Sequence, residues 1–218
     1  MYKIYGGSMF TKGRRVWVLL LAGALMLSLC ACGSNPAGNK ENTQETETEK
    51  EVEIVDATDI LTKVWNEYEA VDTDGNMYND RFDVMGGHFE SAVMNMPAKY
   101  DLTKTSDLAL MYCVPETVIP MIDDAGTIVH LMKASTFTAG AYHVTDVANV
   151  KAVVEGIKAQ TLGNQWLGGF PDKHLIAIVE GQYVVSAVGT EEVVDNFEDM
   201  LEEVFGKQVS IQVKEDIR

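Results

Sequence analysis

Residues 136–213, TFTAGAYHVTDVANVKAVVEGIKAQTLGNQWLGGFPDKHLIAIVEGQYVVSAVGTEEVVDNFEDMLEEVFGKQVSIQV, switch hydrophobic period several times, and each switch marks an element. Thr136 to Val144 reads as a strand. Thr145 or Asp146 can cap a helix from Val147 to about Leu162, whose Val147, Val150, Val153, Val154 and Ile157 form one stripe at helical spacing. Gly163, Gly168 and Gly169 then punctuate a loop carrying Trp166 and Phe170-Pro171. Leu175 to Val179 and Tyr183 to Val188 flank Glu180-Gly181-Gln182, the pattern of a hairpin around a glycine turn. Thr190 caps a last helix, Glu191 to Phe205, with Val193, Val194, Phe197, Leu201, Val204 and Phe205 inward. Gly206 is placed to end it. Val209 to Val213 alternates and adds a possible edge strand. The C-terminal half is thus β-α-β-β-α. The fold class expected is α+β: a small, mainly antiparallel sheet with helices packed on one face.

Working towards the N-terminus the pattern weakens. Thr127 to Ala134 is apolar and reads as helical, after a turn at Asp123-Asp124-Ala125-Gly126. Asp101 to Val114 is a second short element before Pro115 and Pro120. Val84 to Met96 reads as a short helix through Phe89, Val93 and Met96, ended by Pro97. Asp72-Thr73-Asp74-Gly75-Asn76 starts like a calcium loop, but Met77 stands where an EF-hand needs glycine, so an ordinary Asp/Gly/Asn turn is expected. Asp56 or Thr58 caps a helix from about Asp59 to Ala70, with Ile60, Leu61, Val64, Trp65 and Tyr68 on one face.

The N-terminus carries an address. Lys12, Arg14 and Arg15 precede a fourteen-residue, largely apolar run, Val16 to Leu29, which leads into Cys30-Ala31-Cys32-Gly33. Basic, apolar, then small is the layout of a secretory signal. The run is short for a spanning helix, which needs about 20 apolar residues. It resembles a bacterial lipoprotein signal. Small Ala31 before Cys32 suits the peptidase, whereas bulky Leu29 before Cys30 does not. Cys32 is therefore the expected lipid attachment site, with residues 1–31 as the signal peptide. Residues 32–53 are a lipidated cysteine and polar linker without aromatic residues, too poor in apolar surface to order itself. Residues 54–218 form a single globular domain, long enough for a proper core.

Processing would leave 13 basic residues against 33 acidic, a formal charge of −20. That charge repels nucleic acid and anionic headgroups, so no nucleic-acid partner is expected. Cys113 would be the remaining cysteine, so no internal disulfide can form, and its apolar surroundings mark it as a buried small hydrophobe. The four histidines are scattered, and neither a phosphate loop nor a Gly-x-Ser-x-Gly elbow occurs. No cofactor, metal site or catalytic residue is expected. The suggestive stretch is Leu162 to His174, LGNQWLGGFPDKH, where Trp166, Phe170 and His174 sit among glycines in a loop suited to ligand or partner contact. The alternative is that Trp166 and Phe170 fold back to plug the sheet edge.

Ala141 to Val144, Val147 to Gln165, Phe170-Pro171 and Gly181-Gln182-Tyr183-Val184-Val185 together resemble an uncharacterised lipoprotein family of Gram-positive, clostridial-type bacteria with a domain of unknown function. The resemblance spans about residues 56–206. It implies the outer face of the cytoplasmic membrane and supplies no activity. A membrane-tethered, non-enzymatic binding or accessory protein is the expected function, with an envelope protein or small ligand as partner. A cell-envelope hydrolase or wall-modifying enzyme is the alternative.

Overall fold

The computed structural model describes residues 51–72, 84–166 and 169–217. The signal, Cys32, the linker to residue 50 and the calcium-like turn after Asp72 lie outside the described residues. In chain order come α1 (Ala57–Asp72), β1 (Val84–Gly86), β2 (Val93–Met94), β3 (Ala98–Lys99), α2 (Thr105–Tyr112), β4 (Ile122–His130) and β5 (Phe137–Val144). They are followed by α3 (Val150–Gly163), β6 (Lys173–Val179), β7 (Tyr183–Gly189), α4 (Glu191–Phe205) and β8 (Val209–Asp216). The strands make one eight-stranded antiparallel sheet in the order β2-β1-β4-β5-β7-β6-β8, with β3 also pairing β4. The α+β class and the β-α-β-β-α order of the C-terminal half are both present.

Local signals explain the C-terminal elements. Asp146 accepts from the Ala148 N–H at 2.9 Å, and a single 3-10 turn leads into α3. Between β6 and β7, Glu180 and Gly181 both take positive φ, +49° and +71°. Paired left-handed residues of this kind match the twist of a hairpin. Thr190 stands at the N-cap of α4 in extended backbone, but its hydroxyl makes no cap bond; Glu191 and Glu192 in the first turn face the positive end of the helix dipole instead. At the other end of the chain Asp56 caps α1 through the Asp59 N–H at 2.7 Å.

Two expectations for the middle of the chain are corrected. Residues 127–134 are not helical: Thr127 to His130 belong to β4, which pairs with β5 from Ile122 to Val129. Asp123 and Asp124 make a bulge within that strand, not a turn. Asp124 accepts from the Ala57 N–H at 2.8 Å and pairs with Lys99, so the bulge docks the start of α1. A strand buried on both faces reads as a continuous apolar run, which hides its period. Residues 84–96 likewise form β1, one 3-10 turn and β2, because Gly86-Gly87, with Gly87 at φ +80°, breaks any helix there.

The helices do not share one face of the sheet, as expected, but cover both. Ile60, Leu61 and Val64 of α1 and Phe197, Leu201 and Phe205 of α4 pack on Phe137, Ala139, Leu175, Ala177 and Val185. Leu108 and Tyr112 of α2 and Val153, Val154 and Ile157 of α3 pack on Tyr142, Ile176 and Val184. Alternate residues of β5, β6 and β7 serve opposite layers, as the pleat requires. Both sides of the central strands are dry, so polar side chains are kept to the strand ends and the α3 side.

Candidate functional site

The C-terminus of α3 and the end of β8 meet at one corner of the sheet. Asn164 caps α3, its N–H bonding the Thr161 carbonyl at 3.3 Å. The loop then runs to buried Pro171 and is pinned where the Asp172 N–H reaches the Gly189 carbonyl at 2.8 Å. The Ile217 N–H closes the corner onto the Asp172 carbonyl at 2.9 Å. Leu162, Asn164, Trp166, Phe170 and Ile217 surround a pocket of about 160 Å³. Phe170 is 52% exposed and Leu162 49%, so the rim is apolar and open to solvent.

Two of the residues lining this pocket carry polar groups. The Trp166 indole Nε1 is shielded from solvent and has no hydrogen-bond partner. A donor in that state costs about 1–3 kcal/mol until an acceptor meets it. Asn164 donates through Nδ2 to the Cys113 sulfur at 3.3 Å, which ties the pocket to the left-handed residue ending α2. Burial pushes the Cys113 thiol up to about 11, so it stays protonated and inert.

Of the three residues singled out from the sequence, the structure brings Trp166 and Phe170 together and separates His174 from them. Trp166 is half-buried and Phe170 remains at the surface, so the loop neither floats free nor plugs the sheet fully. The placement of His174 in the loop is corrected: it lies in β6, fully buried, with Nε2 3.3 Å from the Ser186 hydroxyl. Burial, with a lesser contribution from the Lys158 charge, pushes its pKa down to about 4, so the ring is neutral. Alternation back from Ile176 puts residue 174 on the α3 side, a sign already legible in the sequence. Ile217 carried no such sign, because only the pairing of β8 with β6 carries it to Asp172.

A second polar constellation lies elsewhere. Buried His88 sits 2.9 Å from the Asp107 carboxylate through Nε2, while Nδ1 accepts from the Glu90 N–H at 3.4 Å. Both ring nitrogens are engaged, and the contacts tie the β1–β2 connection to α2. Among the described residues no three His, Cys, Asp or Glu side chains gather into a metal-holding group. No protein-family model, no curated protein and no solved structure matches this chain.

Proposed function

We propose that this chain is a lipid-tethered extracytoplasmic binding protein, anchored through Cys32 at the outer face of the cytoplasmic membrane, that holds a protein partner through the Trp166 pocket. The signal-like N-terminus supports the address. The observation that carries the binding role is the pocket itself: two aromatic side chains and an open apolar rim. Its size selects the kind of partner. Pockets for whole small molecules run to about 300–1,000 Å³. A cavity of about 150 Å³ accepts a single benzene ring. A volume of about 160 Å³ therefore suits one aromatic or branched side chain projecting from a larger surface.

Crosslinking in intact cells, followed by purification of the lipoprotein and mass spectrometry, tests this reading. A specific envelope protein captured by the native chain and lost with Trp166→Ala, at nearly unchanged melting temperature, supports it. An unchanged capture pattern with the variant sinks the pocket as the contact. For the anchor, a Cys32→Ser chain that still partitions with membranes and is still processed would remove the lipid from the proposal.

A further inference from the structure

β8 is the last strand of the sheet, and its outer side pairs with no other strand among the described residues. The Ile217 N–H turns inward to the Asp172 carbonyl. Antiparallel alternation then turns the main-chain groups of Asp216 and Lys214 outward, away from β6. Ile217, one residue beyond this free edge, is a wall of the Trp166 pocket. Main-chain donors and acceptors with no strand partner among the described residues thus run up to a hole the size of one ring.

We infer that this corner captures an extended, cationic peptide segment of a protein partner, which adds a strand to the outer edge of β8 and seats one aromatic side chain against Trp166. The inference rests on the pocket reading above and names its occupant. Strand addition takes its affinity from main-chain hydrogen bonds and its specificity from pockets for alternate side chains. Positive charge follows from the processed chain's formal −20, which attracts basic segments and opposes a second copy on the same edge. The chain's own tether is a poor occupant. Residues 33–51 contain no aromatic residue, and the reciprocal pair of hydrogen bonds between Val52 and the Gln208 side chain holds the tether's end at the start of β8, the far end from Ile217.

The test uses the full chain, ¹⁵N-labelled in detergent micelles, and a blocked heptapeptide of alternating lysine and valine with one central phenylalanine. The expected result is a shift of the Trp166 indole N–H resonance together with slowed exchange of the Lys214 and Asp216 amides. A glycine-centred analogue and a glutamate-for-lysine analogue should each bind roughly tenfold more weakly. Unchanged Lys214 and Asp216 exchange, or equal binding of the glycine-centred peptide, overturns the inference. So does protection of these amides that rises with protein concentration alone, which would make the edge a self-association face. N-acetylphenylalanine amide, too short to add a strand, separates the two readings. If it shifts the indole while the heptapeptide leaves β8 unprotected, the pocket stands and strand addition falls. If neither probe reaches Trp166, both fall.

Discussion

The two faces of the sheet are built from different chemistry. Against α1 and α4 the core is an apolar cluster around Phe137 and Phe197, 5.7 Å apart, and the buried charges at its margin, Lys173 and Glu198, are paired with Asp195 and Lys214. Against α2 and α3 the layer also buries Tyr142, His174, Ser186 and Thr161. Two of their polar atoms, the Tyr142 hydroxyl and the His174 Nδ1, have no hydrogen-bond partner. Full burial of a large apolar side chain contributes about 1.5–3 kcal/mol, whereas an orphaned polar atom costs about 1–3 kcal/mol. The α1–α4 face therefore holds the domain together. The α2–α3 face gives up part of that stability, and the proposed site opens at its rim.

The largest effect that would sharpen this contrast is on the apolar face. Phe197→Ala should lower unfolding free energy in urea by about 3–5 kcal/mol. A loss under about 1 kcal/mol would mean the apolar face is not the stabilising one. Next comes the pH dependence of the polar face. The folded pKa of His174, about 4, lies below its ordinary 6.5, so the unfolded chain binds the extra proton first. Stability from this residue is complete above about pH 6.5 and is lost as pH falls towards 4. Across that window His174→Leu should flatten the acid side of the stability curve; an identical slope in the variant would show that His174 is not the titrating group.

Smaller effects probe how tightly the polar face is packed. Gly140 lies under the phenol of Tyr142: a methyl group there would sit 2.0 Å from the hydroxyl oxygen. Gly140→Ala should cost about 1–3 kcal/mol by overpacking. Tyr142→Phe removes the orphaned hydroxyl and should leave stability unchanged or raise it by about 1 kcal/mol. A clear loss would instead show that the hydroxyl holds a partner in solution. The smallest shift belongs to the rim, where Trp166→Ala should change unfolding free energy by less than about 1 kcal/mol. A loss as large as that of Phe197→Ala would make Trp166 part of the core and end its candidacy as a contact residue.

Much of the framework was legible in local pattern. The stripe Val150, Val153, Val154 and Ile157, the capping residue Asp146 and the turn at Glu180-Gly181 each act within a few residues of themselves, so sequence order carried their meaning. β4 was not legible, because Thr127 to His130 is buried on both faces and shows neither period cleanly. Nor was the division of helices between two faces, since an inward stripe on α1 or α3 names no partner. For the site, the Trp166 and Phe170 loop stood out by its composition of glycine, amide and aromatic residues. His174 follows that loop directly in sequence, yet the period of Leu175 to Val179 extends back to it and places it in β6.

The sequence by itself determined which segments of the C-terminal half are strand and which are helix. These follow from side-chain period, caps and turn residues acting over one element's length. It also determined the strongly acidic balance, a property of composition alone. Only the tertiary structure decided that β4 is a strand and that helices cover both faces. It alone brought Ile217 to Leu162, Asn164, Trp166 and Phe170. Those outcomes depend on pairings between residues far apart in the chain, such as Lys173 with Asp216 and Phe137 with Gly189. No local pattern specifies such pairings; burial of the whole sheet selects them together.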